Sequence, residues 1–293
     1  MKWSKEAEEL ISKVPFFIKK SVKRRVEEEA ASCGVNIVTD EHVNTSKNRF
    51  INKMEDEVKG FQVETCFSSG GCPNSVMDTS AISDKIEKIL MYENIKGFLK
   101  ETVKGPLKFH HEFRVSISSC PNACSRPQIA DVGIISICSP EVSGDNCTLC
   151  GKCKSMCKED AVSFSSDLPC IDDSKCLLCA QCIKVCPEGV LKEGNKGFKI
   201  LIGGKLGRHP QLGIEIPGIF GTEESIEKVK EIITFYKGKS DRGERLGEVL
   251  EKNGIIDLNQ RMENLNSILC MQKSSYQEVN HEMSRTRQPI LAE

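Results

Sequence analysis

Two segments of the sequence share one cysteine pattern: CTLCGKCKSMC at residues 147–157 and CLLCAQCIKVCP at residues 176–187. In each segment three cysteines are separated by two residues, and a fourth follows after three more. The chain has 293 residues and 16 cysteines, and nine of these lie between Cys147 and Cys186. The N-terminus has early acidic residues and no apolar signal segment, so we expect a cytoplasmic protein. Disulfides are rare in that reducing compartment, and the pattern therefore predicts metal ligation.

The repeated spacing is typical of iron–sulfur ligation. In two-cluster proteins with this run of cysteines, the fourth cysteine of each run binds the other [4Fe–4S] cluster. The spacing therefore predicts one cluster on Cys147, Cys150, Cys153 and Cys186, and a second on Cys176, Cys179, Cys182 and Cys157. Structural zinc is the alternative, but zinc sites favour cysteines in two pairs rather than triplets with a remote fourth ligand. The segment resembles the bacterial two-cluster ferredoxins, although Lys158 replaces the proline that would follow the first run.

The overall composition is that of a globular chain without an unusual charge. Its 41 basic and 42 acidic residues give a net charge of −1, which offers no reason to expect nucleic acid or an acidic membrane surface as a partner. The 39% apolar and 28% charged residues suit a soluble protein. No run of 18 apolar residues occurs, so no membrane span is predicted.

Hydrophobic periodicity predicts an α+β fold in several parts. Residues 1–50 predict a helical module, in which a first helix ends at Pro15, a second covers residues 17–31 and a short third begins near Thr39. We expect one α/β domain over residues 51–143 and 191–258, with a two-cluster ferredoxin module inserted at residues 144–190. Its predicted strands are 61–65, 113–117, 132–137 and 198–202, and its predicted helices are 75–92, 223–236 and 242–252. Residues 259–293 are polar and aperiodic, which predicts a flexible tail.

A second group of cysteines comes in two pairs, Cys66 with Cys72 and Cys120 with Cys124. Both pairs lie among small residues, with SSGG at 68–71 and SSCPNAC at 118–124. Small residues leave backbone N–H groups free to donate hydrogen bonds to cluster sulfurs. Because these spacings differ from those of ferredoxins, we expect a third cluster, held by two loops of a rigid domain.

The pattern Cys66-x5-Cys72 with Cys120-Pro121-Asn122-x-Cys124 resembles the signature of sirohaem-dependent sulfite and nitrite reductases. In that family these cysteines hold a [4Fe–4S] cluster, and the last one bridges it to the sirohaem iron. The resemblance implies that Cys124 is the axial thiolate, and that the other face of the iron is open to a small anionic substrate, sulfite or nitrite. It implies three [4Fe–4S] clusters and sirohaem, since dissimilatory-type and anaerobic members also carry an inserted ferredoxin module.

The segment GGKLGRHP at residues 203–210 is similar to a segment of the same family. Sirohaem carries many carboxylates and its substrates are anions, so both need concentrated positive charge. We expect catalytic roles for Lys205, Arg208 and His209. The residues expected to bind the cofactor are Asn122, Cys124, Arg126, Lys205 and Arg208. The alternative is that these are solvated loop charges, which is common for single basic residues.

The N-terminal segment from Trp3 to Ile18 is similar to the small helical domain of the light-independent protochlorophyllide reductase B subunit. We assign no substrate contact to it, and we expect Trp3, Phe16 and Phe17 in the core of a helical hairpin. Full-length members of the sirohaem family carry a further α/β half before the first cysteine pair, whereas 65 residues precede Cys66 here. We therefore expect a second copy or a partner subunit to supply the basic cradle, and an electron-donor protein to supply electrons.

Two other functions are open from sequence. One is an electron-transfer protein with three clusters and no catalytic sirohaem, which the short front would suit. The other is a tetrapyrrole-binding reductase, suggested by the N-terminal module.

Overall fold

The computed structural model describes residues 1–67, 71–144 and 146–253, with Ser32 and residues 51–54 described by their backbone alone. The predicted tail at 259–293 lies outside the described residues. The chain forms two compact units, Met1–Gly60 with Lys96–Glu112, and Phe61–Ile95 with Phe113–Glu293. None of the helices in the described ranges has the length and apolar character that a bilayer crossing requires.

The first unit contains the predicted helical module. In chain order its elements are β1 (Lys2–Trp3), α1 (Lys5–Ser12), α2 (Phe16–Ser32), β2 (Ile37–Val38) and α3 (Asp40–Glu57). Trp3 packs against a small core around Ala7 and Val26, as expected. The expectation for Phe16 and Phe17 is wrong: their side chains are 88% and 74% exposed, because they occupy the first turn of α2, outside this core.

The predicted third helix is longer than expected, since α3 has 18 residues. Two further helices follow, α4 (Ser80–Tyr92) and α5 (Ile95–Thr102), with β3 (Phe61–Thr65) before them. The prediction that α4 begins at residue 75 is wrong. Asp78 accepts hydrogen bonds from the backbone N–H and the hydroxyl of Ser80, at 3.0 and 2.7 Å, and this turn delays the start of the helix.

After β3 and α4, the second unit contains β4 (Phe113–Ser118), β5 (Val132–Val142), α6 (Lys152–Met156), β6 (Val162–Ser165), β7 (Leu168–Ile171), α7 (Gln181–Lys184), β8 (Leu191–Ile202), β9 (Ile214–Phe220), α8 (Thr222–Lys239) and α9 (Leu246–Asn253). Its five-stranded sheet has the order β3-β4-β5-β8-β9. Strands β3, β4 and β5 are parallel, whereas β8 runs antiparallel to β5 and β9. The cysteine-rich segment therefore leaves the sheet at the end of β5 and returns at the start of its neighbour β8.

Alternate residues of β4 face opposite sides of the sheet. Phe113 faces the helical side, where its ring lies 5.1 Å from that of Tyr236 on α8. Ser116 and Ser118 face the other side, where both bond to Ser125. The loop that carries Cys120 and Cys124 therefore lies on the face opposite α8.

Candidate iron–sulfur and tetrapyrrole centre

The first predicted ferredoxin ligand set lines one cavity. Cys147, Cys150, Cys153 and Cys186 all border it, together with Phe164 and Pro169 from the β6–β7 hairpin. Burial raises the pKa of Cys153, and the nearby thiols of Cys186 and Cys150 raise it further. The backbone N–H of Lys152 lowers the pKa of the exposed Cys150.

The second predicted set lines another cavity. This one has a volume of about 140 Å³ and is bordered by Cys157, Cys176, Cys179 and Cys182. Burial raises the pKa of Cys182 to about 12, and the backbone N–H of Ala161 lies 3.4 Å from the Cys157 sulfur. The structure therefore brings Cys157 to the second run and Cys186 to the first, the crossed grouping that the sequence predicted.

The two runs repeat an unusual backbone conformation. Leu149 and Leu178 have φ values of 54° and 59°, and Gly151 and Ala180 have values of 72° and 58°. A left-handed residue beside a right-handed one turns successive N–H groups toward a common concavity, which suits an anionic ligand such as an iron–sulfur cluster. Non-glycine residues tolerate this strain where the surroundings impose it, often at functional sites.

The four cysteines predicted to hold the third cluster meet at the carboxyl ends of β3 and β4. Because these neighbouring strands are parallel and in register from Phe61 and Phe113, Cys66 ends beside the loop that begins at Ser119. The backbone N–H of Ser119 donates to the Cys66 sulfur at 3.2 Å. The loop after Cys72 joins them, since the N–H of Val76 donates to the Ser119 carbonyl at 2.8 Å.

Burial and the other three thiols of this group raise the pKa of Cys120. Burial raises it first, and the thiols of Cys66, Cys124 and Cys72 raise it further, against a hydrogen bond from the N–H of Asn122. Metal binding would remove these protons, because the thiolate is the ligand. Among the residues that the structure describes, no three Cys, His, Asp or Glu side chains are arranged to hold a single metal ion.

Cys124 occupies the exposed end of this group. Cys120 is buried and Cys124 is exposed, although they are four residues apart. Ser125, directly after Cys124, anchors this loop to β4. The Ser116 hydroxyl donates to the Ser125 carbonyl at 2.6 Å, and the Ser125 hydroxyl bonds to the Ser118 hydroxyl at 2.7 Å and donates to the Ile117 carbonyl at 2.8 Å. Ala123 and Arg126 have positive φ values of 51° and 61° on either side. A rigid loop thus presents the Cys124 sulfur at the surface, which fits an axial ligand to a macrocycle.

The predicted basic turn lies beside this loop. A Cβ atom on Gly204 would come within 2.5 Å of the Gln128 carbonyl oxygen, and the N–H of Gly213 donates to the same oxygen at 2.7 Å. Arg208 and His209 are exposed, but Lys205 is buried and its ammonium faces the α9 carboxylates of Glu248 and Glu251, at 3.4 and 4.0 Å. The turn thus packs against residues 128–130, which follow the Cys124 loop, while the catalytic roles of these three side chains stay predictions.

Comparison with known proteins agrees with this geometry. The model of the nitrite and sulphite reductase 4Fe-4S domain matches residues 59–266. The chain belongs to this family. The model of the proto-chlorophyllide reductase 57 kD subunit matches residues 3–47, so both predicted resemblances are confirmed.

Several relatives of this 4Fe-4S domain family are sulfite reductases by name. The coenzyme F420-dependent sulfite reductase of Methanocaldococcus jannaschii is 31% identical over 64% of this chain and 28% of its own length. One subunit of the anaerobic sulfite reductase of Salmonella typhimurium is 25% identical over 46% of this chain and 40% of its own length. A crystal structure of dissimilatory sulfite reductase I aligns with a TM-score of 0.48 at 19% identity, covering 74% of this chain and 57% of that one. The chain thus spans less than half the length of either curated relative.

Arg114 is a further candidate site residue, which the sequence alone did not identify. Arg114 lies on β4 on the same face as Ser116, and its Nε atom is buried without a hydrogen-bond partner among the described residues. Arg114 is paired in the sheet with Gln62 of β3. Glu64, also on β3, has a carboxylate oxygen 3.7 Å from the guanidinium of Arg126. The two-residue alternation of β4 was the available signal, because it places Arg114 on the face of the Cys124 loop.

A buried ion pair was also missed. Asp131 is fully buried, and Arg245 donates to both of its carboxylate oxygens, at 3.0 and 2.6 Å. The N–H of Arg114 donates to the same carboxylate, and the N–H of Gly203 donates to the Asp131 carbonyl, both at 2.8 Å. This residue therefore fixes β4, the basic turn and α9 relative to one another.

Proposed function

We propose that this chain is an iron–sulfur oxidoreductase of the sulfite or nitrite reductase type, with a [4Fe–4S]–sirohaem centre at Cys66, Cys72, Cys120 and Cys124. The observation that carries the proposal is the grouping of these four cysteines at the carboxyl ends of β3 and β4, where Ser119 bonds to the Cys66 sulfur and to Val76 after Cys72, with Cys124 at the exposed end. Sirohaem bound there would supply the iron at which a small anion is held and reduced. The names of the matched relatives favour sulfite over nitrite.

The residues around Cys124 fit a carboxylate-rich macrocycle. Arg126 is largely exposed, with its Glu64 contact at 3.7 Å, so it is available to a carboxylate. Arg114 offers an unpaired, buried Nε atom on the same face of the sheet, and a guanidinium pairs with a carboxylate through two parallel bonds. We propose that these two arginines orient the cofactor, with Asn122 contributing from the loop.

The basic turn would serve the substrate side. Arg208 and His209 are exposed, so Arg208 would attract an anion through its fixed positive charge, and His209 would donate a proton to it. The buried ammonium of Lys205 faces α9, so in this arrangement it holds the turn against the helix through Glu248. We propose that Arg208 and His209 contact the substrate. Lys205 would also contact it once its ammonium leaves Glu248; in the arrangement described, Lys205 stabilises the turn.

The two cysteine cavities would hold two further [4Fe–4S] clusters that carry single electrons toward the centre. The crossed ligand sets support this assignment, since each cavity is lined by four cysteines drawn from both runs. An electron-donor protein, which we place with this chain in the cytoplasm, would reduce them. The exposure of Cys124 and the designation of the Salmonella relative as a subunit both favour a second copy or partner chain over this face.

Substitution of Cys124 tests the proposal. After anaerobic reconstitution with iron, sulfide and sirohaem, the unaltered chain should bind the macrocycle and reduce sulfite to sulfide with reduced viologen as donor. Cys124→Ser should lose macrocycle ligation in the absorption spectrum, whereas Cys170→Ser, an exposed cysteine outside the three sets, should match the unaltered chain. Equal macrocycle binding by all three proteins would contradict the assignment of Cys124. Reduction of nitrite to ammonia without sulfide production would transfer the proposal to nitrite.

A further inference from the structure

We propose that Lys184 is a positioning residue for electron transfer within the chain. It would fix the Cys176–Cys186 run against the loop after Cys72, which makes the site of Cys157, Cys176, Cys179 and Cys182 the one that exchanges electrons with the Cys66–Cys124 centre. We call these the proximal site and the coupled centre, and the site of Cys147, Cys150, Cys153 and Cys186 the distal site. The inference rests on the function proposed above.

Lys184 joins two ligand-bearing segments that are far apart in sequence. It ends helix α7, between the ligands Cys182 and Cys186. Its ammonium donates to the carbonyl oxygens of Pro73 and Ser75, at 2.8 and 2.9 Å. These two carbonyls belong to the loop that follows Cys72, so one side chain links the proximal site to the coupled centre. Both carbonyl oxygens face the ammonium, so the two hydrogen bonds hold the flexible lysine side chain in one position.

Two backbone and packing contacts support the same docking. The N–H of Cys138, on β5, donates to the Leu178 carbonyl at 2.8 Å. The backbones of Cys138 and Cys179 form an isolated parallel β-bridge. Leu178, between two proximal ligands, packs against a cluster that contains Ala123, between two coupled-centre ligands. The second run is therefore attached to the sheet and to the Cys120–Cys124 loop at once.

The residues that line the two cavities indicate which ferredoxin site lies next to the coupled centre. The proximal cavity is also lined by Cys120, Pro121 and Asn122, so the two ligand sets border one space. The distal cavity is lined by residues from 147–153, the β6–β7 hairpin and 186–191, and by no described residue of the coupled-centre loops. With clusters bound, the distal site would accept electrons from a donor, and the residues of the proximal cavity would hold the cluster that passes one electron at a time to the coupled centre.

Three variants test the inference. Lys184→Met removes the charge and both hydrogen bonds, and Lys184→Arg keeps a cation with several donors. Lys154→Met is the control, because Lys154 is the basic residue in the last turn of α6, between the ligands Cys153 and Cys157, and its side chain is exposed. The readouts on reconstituted full-length chain are iron content, the magnetic interaction between reduced clusters, and the rate of internal electron transfer after rapid mixing with dithionite.

We expect Lys184→Met to retain its iron, to lose magnetic interaction with the coupled centre, and to transfer electrons about tenfold more slowly. Lys184→Arg should recover most of both properties, and Lys154→Met should match the unaltered chain. Unchanged interaction and rate in Lys184→Met would overturn the inference. The magnetic measurement needs no macrocycle, so a chain that binds three clusters without sirohaem would refute the proposed function and still test Lys184. A chain that binds sirohaem but shows no interaction between the proximal site and the coupled centre would overturn the inference and leave the proposed function standing.

Discussion

Gly133 shows how closely the candidate centre is packed at the level of one residue. It lies on β5, and a Cβ atom there would come within 2.2 Å of the Pro127 carbonyl oxygen, in the turn that follows Arg126. That contact is with backbone, so a side chain must displace the turn. We predict that Gly133→Ala lowers the free energy of unfolding by about 3 kcal/mol and weakens cluster retention at Cys120 and Cys124.

Thermal unfolding and iron content after desalting measure both effects. Gly238→Ala is the matched control, since a Cβ atom at this α8 position meets nothing within 4 Å. Alanine favours a helix over glycine, so this variant should be neutral or more stable by up to about 1 kcal/mol. If Gly133→Ala behaved like Gly238→Ala, the packing described around the Cys124 loop would be wrong.

The Asp131–Arg245 pair gives a second prediction at this scale. Burial opposes the charge of Arg245, but the Asp131 carboxylate more than offsets it and leaves the pKa of Arg245 above its usual value. Asp131→Asn would leave this guanidinium without its counter-ion, which costs about 3–5 kcal/mol for a buried pair. Denaturant unfolding should detect that loss. Glu193→Gln removes an exposed partner of Lys196 and should cost less than about 1 kcal/mol, so equal losses would contradict the structural role of Asp131.

Single residues also mark the limit of prediction from sequence. The cysteines were identifiable because their chemistry depends on spacing along the chain. The environment of Lys205 was not, because Glu248 and Glu251, which face its ammonium, lie more than 40 residues away on α9. Arg114 was overlooked for a similar reason, since its unpaired Nε atom depends on how β4 lies in the sheet.

At the scale of elements, the crossed ligand sets make a prediction that the iron content can test. Cys157→Ser/Cys182→Ser removes two ligands from one predicted cluster, so the chain should lose about four iron atoms. Cys157→Ser/Cys153→Ser removes one ligand from each of two clusters and should lose about eight, provided that each cluster needs all four thiolates. Iron and sulfide analysis after anaerobic reconstitution distinguishes these outcomes. The reverse result would show that each run binds its own cluster.

The secondary structure was predictable where periodicity was strong and less so at interruptions. The strands at 61–65, 113–117 and 132–137 match β3, β4 and the start of β5, because each is a short apolar or alternating run. Strand β9 was missed because Pro217 and Gly218 interrupt it, which is tolerated at an edge of the sheet. The β6–β7 hairpin was missed because the cysteine spacing dominated the interpretation of that segment.

At the scale of the whole molecule, the α+β fold class and the family followed from sequence, while assembly did not. The chain spans 28% and 40% of two curated relatives, and the exposed Cys124 lies on a face where the proposed cofactor would still need contacts. Positive charge for a carboxylate-rich ligand depends on groups brought together in space, and those of a second chain leave no pattern in this sequence. The separate ferredoxin domain also stays a prediction, because residues 144–190 belong to the same compact unit as the sheet.

The proposed function requires that Cys124 ligate both a [4Fe–4S] cluster and the iron of a bound sirohaem. The most direct measurement is an anaerobic absorption spectrum of the reconstituted chain, with quantitation of iron and extracted macrocycle. The proposed function predicts about 13 iron atoms per chain, about 12 in clusters and about one in sirohaem, and a macrocycle spectrum that changes on addition of sulfite. About 12 iron atoms without bound macrocycle would contradict it and identify the chain as an electron carrier.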